Sequence, residues 1–211
     1  MDLIGKYKKY LADRYFVWSS VLSLLLLALS LAVNFLASLY ATRKQSSPVT
    51  DIVLSNIPNY DVADIFVYGI VSLIVFVFFL LLLEPEKIPF VVKSTAVFIL
   101  IRSVFISLTH IGLYPNIIES DIDVFKGITS GGDLFFSGHA GFPFLLALIF
   151  WREKNFRYLF IFISVFFGAI ALMGHYHYSI DVLSAFFITF GIYHICLKIF
   201  KRDHQILLNG I

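Results

Sequence analysis

The chain has 211 residues, which fits one domain, and its net charge of +2 says little as a total. Hydrophobic residues make up 59% of it and charged residues only 14%, against about 25% charged residues in an ordinary soluble domain. A soluble fold of this size cannot bury so much apolar surface, so the composition excludes one and favours an integral membrane protein.

Apolar runs along the chain predict the membrane spans, since a spanning helix needs about 20 largely apolar residues. Six runs qualify: 16–41, 62–83, 88–109, 136–151, 156–174 and 179–200. The first run is longer than a signal-peptide core, so we expect a retained helix, with a cleaved signal as the alternative. The fourth is short for a span. Because backbone groups in lipid must bond internally, we predict an all-α polytopic membrane helix bundle with about six transmembrane helices.

Basic residues orient these spans across the membrane. With the N-terminus in the cytoplasm, three basic residues fall on the opposite side, Arg43, Lys44 and Lys126. Twelve fall on the cytoplasmic side: Lys6, Lys8, Lys9, Arg14, Lys87, Lys93, Arg152, Lys154, Arg157, Lys198, Lys201 and Arg202. The positive-inside rule therefore favours two cytoplasmic termini. We expect one integral membrane domain over 1–211, with 1–15 as a cytoplasmic head.

Two polar motifs interrupt the apolar background. GGDLFFSGHAGFP occupies 131–143, just before and within the fourth run, and GHYHYSID occupies 174–181, between the fifth and sixth runs. When hydropathy sets the spans and charge sets their orientation, both motifs lie on the non-cytoplasmic side. This coincidence predicts that they form one site.

In the second motif, His177 and Asp181 are four residues apart. If the sixth helix reaches back to His177, both side chains share one face, and the carboxylate can fix the tautomer of the imidazole. The other ring nitrogen is then free to attack as a nucleophile. If the helix starts later, a turn must make this pairing. The alternative is an interfacial histidine with an aspartate that favours the helix dipole.

In the first motif, Ser137 and Gly138 stand at the expected start of the fourth helix, where serine is a good N-cap. The exposed N–H groups of a helix start suit a phosphate, and glycine lets a ligand approach the backbone. His139 would then stand beside the phosphate as a general acid. The alternative is a helix cap with a nearby interfacial histidine.

Arg102 lies late in the third run, toward the non-cytoplasmic end. A charge inside a span is costly, which favours a functional role, and a guanidinium can bind phosphate in a bidentate manner. The alternatives are snorkelling to the interface or an ion pair with Asp133.

Together these segments resemble the sphingomyelin synthase branch of the type 2 phosphatidic acid phosphatase (PAP2) superfamily. The resemblance rests on GGDLFFSGH, on HYSIDVLSAFFIT at 177–189 and on RSVFISLTHIGLYP at 102–115. It covers about 95–195, which we expect to be the catalytic region. The six-span order also agrees with that branch.

The resemblance implies a catalytic triad of His139, His177 and Asp181. His177 would be the nucleophile and form a phosphohistidine, Asp181 would orient it, and His139 would protonate the departing lipid alcohol. No metal and no cofactor are implied. The expected substrate-binding residues are Arg102, Asp133, Ser137, Gly138 and Tyr178.

The chain departs from the wider superfamily in its phosphate-binding segments. Thr95 and Ser103 stand where a Lys-x6-Arg-Pro segment has its lysine and proline, and Ile170 and Ala171 replace a Ser-Arg pair. This favours the synthase-like branch over a plain lipid phosphatase.

We therefore predict an enzyme that moves a phospho-headgroup from a phospholipid donor to a ceramide-like or diacylglycerol-like acceptor, with no nucleic-acid partner. A lipid phosphatase, which uses water as its acceptor, is the first alternative. A non-catalytic transporter or lipid-binding protein is the second. A transporter would place polar groups near the bilayer midplane, whereas the ionisable residues here gather at one surface.

Overall fold

Within residues 3–115 and 134–211, which the computed structural model describes, every regular element is helical. Short 3-10 turns at Leu54–Asn56 and Pro85–Lys87 lie in the connections. The α-helices in chain order are α1 (Leu3–Ala12), α2 (Arg14–Arg43), α3 (Ala63–Leu83), α4 (Ile88–Leu108), α5 (Gly138–Ile149), α6 (Lys154–Met173), α7 (Ser179–Ile199) and α8 (Lys201–Asn209). The predicted all-α fold is confirmed for these ranges.

Five of the described helices are long and apolar enough to cross a membrane: α2, α3, α4 with the turn before it, α6 and α7. Their bounds agree with five of the predicted runs to within a few residues. The remaining run forms α5, which has 12 residues. At 1.5 Å per residue, α5 is about 18 Å long, against about 30 Å for the hydrocarbon core. The predicted count of about six spans is therefore not confirmed.

Helix α5 is enclosed by its neighbours. It packs against α6 and α7 and also contacts α4, and its buried residues include Leu145, Leu146 and Ala147. Gly141 permits a close approach, because a Cβ atom there would lie 2.9 Å from the ring of Phe98. The short helix α5 is therefore surrounded mainly by protein rather than by lipid.

Helix α3 lies at the edge of the bundle and packs against α6. Its buried residues are Ala63, Leu73, Val77 and Leu80. At Gly69 the two helices come close, since a Cβ atom there would lie 2.8 Å from the ring of Phe167. Most of the remaining α3 surface is apolar and exposed, as expected for a helix that faces lipid.

A buried ion pair joins α2, α4 and α8 at the end of the bundle that holds both termini. Lys93 Nζ lies 2.7 Å from Asp203 Oδ2, and Ser19 and Tyr15 donate to Asp203 Oδ1 at 2.6 and 2.9 Å. Lys93 also donates to Ser19 Oγ at 2.6 Å. Burying two charges costs several kcal/mol, so the pair is tolerated because its polar groups bond to one another.

The connection between α2 and α3 lies across the opposite end of the bundle. The N–H of Ser46 donates to the carbonyl of His110 at 2.9 Å, and the N–H of Tyr60 donates to the carbonyl of Met173 at 2.9 Å. An apolar cluster beneath it contains Leu54, Leu134 and Tyr178. This connection therefore packs against the segments that precede α5 and α7.

Candidate functional site

The structure joins the two polar motifs directly at this end of the bundle. The backbone N–H of Ser137 donates to the carbonyl of Asp181 at 3.2 Å. His177 Nδ1 lies 2.8 Å from the carbonyl oxygen of Leu134, which is 43 positions away in the chain. The segment before α5 and the segment before α7 are thus held together by one backbone hydrogen bond and one contact between the His177 imidazole and a backbone carbonyl.

His177 lies just before α7, because that helix begins at Ser179 with Tyr178 as its N-cap. A turn, rather than a shared helix face, therefore sets its position relative to Asp181. His177 Nδ1 is 3.7 Å from Asp181 Oδ2, longer than a hydrogen bond. Its close partner is the Leu134 carbonyl, which can only accept. Nδ1 therefore carries a proton, and in the neutral imidazole the lone pair is then on Nε2.

Asp181 is the third residue of α7 and is fully buried. Its Oδ2 accepts the backbone N–H of Tyr178 at 2.8 Å, and the helix N-terminus favours its negative charge. Among the described residues its Oδ1 has no hydrogen-bond partner. A buried carboxylate with spare acceptor capacity, so close to an imidazole, can stabilise a positive charge that develops on the His177 ring.

The first residues of α5 present backbone donors to the same region. Ser137 is the N-cap, its side chain makes no capping hydrogen bond, and its buried Oγ has no partner within the described ranges. Gly138 and His139 follow as the first two residues of the helix. Since the first N–H groups of a helix lack intrahelical acceptors, this start can receive an anion.

His139 stacks face to face on an aromatic ring from α3. The ring centroids of His139 and Phe66 are 3.6 Å apart, with an angle of 21° between the planes. The Phe66 ring lies 6.4 Å from the ring of His177 and 4.7 Å from that of Tyr176. One phenylalanine of the outermost helix therefore contacts or approaches both candidate catalytic histidines.

Arg102 lies beside the start of α5. Its Nε donates to the carbonyl of Phe136 at 3.1 Å, and its Nη1 donates to Asn34 Oδ1 at 3.3 Å. A Cβ atom at Gly138 would lie 3.4 Å from Arg102 Nε, so glycine lets the arginine side chain lie close to the start of α5. Phe136 has a φ of 69°, an unusual backbone conformation that turns its carbonyl toward the arginine.

Two predicted substrate-binding residues remain, Asp133 and Tyr178. Asp133 is outside the described residues. Tyr178 is 1% exposed, its hydroxyl donates to the carbonyl of Gly112 at 2.7 Å, and it accepts the N–H of Val49 at 3.3 Å. In this structure the hydroxyl of Tyr178 therefore connects the α2–α3 and α4–α5 segments.

Asp51 is a functional candidate that the sequence pattern did not single out. Its Oδ1 accepts the N–H groups of Val53 and Leu54 at 2.8 and 3.1 Å, and its Oδ2 accepts both the N–H and the hydroxyl of Ser179 at 2.8 Å. Burial raises the pKa of this carboxyl, but these hydrogen bonds outweigh burial and hold the pKa below the ordinary value of 3.8. Asp51 thus caps the helix that follows His177.

Phe66, Leu134 and Asp51 had no recognisable signal in the sequence. Phe66 is one of 24 phenylalanines, and Leu134 acts through its backbone carbonyl. Asp51 stands in a polar connection whose contact with α7 is visible only in three dimensions. For Asp51, the one indication in the sequence was its position as a polar residue in a connection between two spans.

Residues 130–198 match a family model described as PAP2 superfamily C-terminal. The match supports PAP2 superfamily membership. It covers α5, α6 and nearly all of α7, and with them both histidine motifs. The PAP2 superfamily includes phosphatases and phosphotransferases, and it is generally catalytic. No curated protein and no solved structure matches the chain significantly.

Proposed function

We propose that the chain is a membrane-embedded lipid phosphotransferase of the sphingomyelin synthase-like kind, which moves a phospho-headgroup between lipids through a phosphohistidine. The observation that carries this proposal is the environment of His177. Its Nδ1–H is bonded to the Leu134 carbonyl, which leaves Nε2 as the nucleophilic atom. Asp181 lies close enough to stabilise the charge that the ring gains when Nε2 attacks.

In the first step, His177 Nε2 forms a bond to the phosphorus of the donor phospholipid. The bond between phosphorus and the alcohol oxygen of the donor breaks. His139, in its protonated form, gives a proton to that oxygen as it leaves. The phospho-headgroup is then covalently bound to His177, and His139 is neutral.

In the second step, the hydroxyl of a ceramide-like or diacylglycerol-like acceptor attacks the phosphorus. Its proton passes to His139, and the bond between phosphorus and His177 Nε2 breaks. Both histidines return to their starting states, so the cycle balances without a metal or a redox cofactor.

The negative charge on the transferred phosphoryl group must be stabilised by hydrogen-bond donors to its remaining oxygens. Arg102, the Ser137 hydroxyl and the backbone N–H groups at Gly138 and His139 are the proposed donors, and their proximity at the start of α5 supports this role. Asp133 and Tyr178 stay proposed substrate contacts on the resemblance alone.

The proposed orientation puts both termini in the cytoplasm and the catalytic site on the periplasmic, extracellular or lumenal side. It rests on the excess of basic residues in the segments assigned to the cytoplasm. In the fold, the ion pair between Lys93 and Asp203 lies at the end of the bundle away from His177, so the termini and the proposed site are at opposite ends.

The test uses purified protein in detergent, a phospholipid labelled in its headgroup, and product analysis with and without ceramide or diacylglycerol. The key variant is His177→Ala. The matched control is His194→Ala, because His194 lies on α7 as well, is exposed, and sits toward the other end of the helix. We expect labelled headgroup on the added alcohol with the wild type and the control, and none with His177→Ala.

Two other results would reject the transferase proposal. Hydrolysis of a lipid phosphate that is indifferent to the added alcohol and lost in His177→Ala would establish a phosphatase. Equal behaviour of wild type and His177→Ala on every lipid tried would remove the catalytic role and favour a transporter or lipid-binding protein.

A further inference from the structure

The ring of Phe66 covers the proposed reaction centre from a helix that carries no part of either motif. It stacks on His139 with 3.6 Å between ring centroids. It also approaches the ring of His177 at 6.4 Å. Phe167 of α6 meets His139 edge-on at 5.9 Å, so two apolar rings border this imidazole. His177 itself is only 6% exposed.

The position of Phe66 is set by the close packing of α3 on α6. Gly69, one turn further along α3, lets the helix approach Phe167, because any Cβ there would meet that ring at 2.8 Å. Phe66 lies in the first turns of α3, at the end of the helix nearest the site. The ring therefore reaches His139 from the side of the bundle that faces lipid.

An apolar cover matters most after the first step of the proposed reaction. The phosphohistidine can be resolved by an alcohol or by water, and both acceptors would use His139 as the base. Water is small and abundant, so the alcohol succeeds only where the site excludes water and admits a lipid. An aromatic ring on a lipid-facing helix meets both needs, because it displaces water and offers an apolar contact to the acceptor.

We propose that Phe66 is the residue that determines acceptor choice, favouring transfer to a lipid alcohol over hydrolysis. The inference rests on the proposed phosphotransferase function. In the hydrolytic step that Phe66 suppresses, a water oxygen would bond to phosphorus, the bond to His177 Nε2 would break, and the water proton would pass to His139.

The experiment measures two products from one headgroup-labelled phospholipid with ceramide or diacylglycerol present: labelled acceptor lipid and free labelled headgroup phosphate. Phe66→Ala, Phe66→Val and Phe66→Leu are compared with the wild type. Phe76→Ala is the matched control, since Phe76 is also on α3 but packs against Phe156 and Phe160, away from the site. Gel filtration and thermal unfolding in detergent check that each variant is folded.

We expect the ratio of hydrolysis to transfer to rise by about tenfold in Phe66→Ala, a typical loss of discrimination when apolar contact is removed from a pocket. The ratio should rise less in Phe66→Val, least in Phe66→Leu, and not at all in Phe76→Ala. The graded series keeps the test informative if the alanine variant fails to fold.

An unchanged ratio in folded Phe66 variants would overturn the inference, and so would loss of both products in all three, which would make Phe66 necessary for positioning His139 instead. Failure of the proposed function looks different. In that case the wild type itself gives either no product that depends on His177 or only the hydrolysis product, so no ratio of hydrolysis to transfer can be measured.

Discussion

Asp51→Asn tests whether the connection between α2 and α3 holds the start of α7 in place. The two carboxylate oxygens have different partners: Oδ1 accepts hydrogen bonds from N–H groups of its own loop, and Oδ2 accepts them from the N–H and hydroxyl of Ser179. Asparagine keeps one acceptor oxygen, and its NH2 group can only donate. Whichever way the amide turns, one pair of donors loses its acceptor.

The expected cost follows from these contacts. A hydrogen bond to a charged group contributes about 1.5–3 kcal/mol, so losing two at the lower end of that range costs about 3 kcal/mol. When the lost pair belongs to Ser179, the start of α7 also loses its cap, a contribution of about 1 kcal/mol that overlaps with the first figure. We therefore expect Asp51→Asn to lower the free energy of unfolding by about 3 kcal/mol.

Hydrogen exchange of the peptide that covers Tyr178 to Val182, read by mass spectrometry in detergent, measures the local effect, and thermal unfolding measures the global one. Asp61→Asn is the matched control, because Asp61 belongs to the same connection and is exposed. Faster exchange at the start of α7 in Asp51→Asn alone is the expected result. Equal exchange in the two variants would refute the idea that Asp51 anchors α7.

Further predictions concern the buried ion pair, the two histidines and the pH dependence at Asp51. Asp203→Asn leaves the buried Lys93 ammonium without its counter-ion, so thermal unfolding should show a loss of about 3–5 kcal/mol, and adding Lys93→Met should restore part of it. A headgroup-labelled donor should leave an acid-labile label on the wild type and none on His177→Ala. The His139→Gln variant keeps the nucleophile, and its turnover should be slower by about 10²–10⁴-fold. Because folding lowers the pKa of Asp51, the stability that this carboxylate contributes is fully present above pH 3.8 and is lost as the pH falls through its folded pKa. The difference in melting temperature between wild type and Asp51→Asn should therefore persist at pH 5–8 and shrink in acid.

Hydropathy predicted the spanning helices well because a membrane span is a local property of the chain. The run 88–109 corresponds to α4 at Ile88–Leu108, and the run 62–83 corresponds to α3 at Ala63–Leu83. The run 136–151 forms the short helix α5, where an apolar sequence can reflect burial among other helices as well as a membrane span. Apolar composition alone cannot separate these two causes.

The candidate site was predictable only in part, because some of its contacts are made by segments that are distant in the sequence. The motifs predicted His139, His177 and Asp181 as the catalytic residues, and the structure brings the segments that carry them together at one end of the bundle. The predicted partner of the His177 imidazole was Asp181, four residues away, whereas the closer contact in the structure is the Leu134 carbonyl, 43 positions away. A backbone acceptor brought in by the fold leaves no trace in the residue type at its position.

The difference between what the motifs predict and what only the fold brings together limits how far a histidine motif can define the reaction. A transferase and a phosphatase of the proposed kind would share His139, His177 and Asp181, since both pass through the same phosphohistidine. What separates them is whether water or a lipid alcohol reaches that intermediate. The residue that we propose to control this access is Phe66, which belongs to α3 and lies outside residues 130–198 that match the family model. On this proposal, the motifs constrain the reaction class, and the choice of acceptor depends on a helix whose sequence carries no motif.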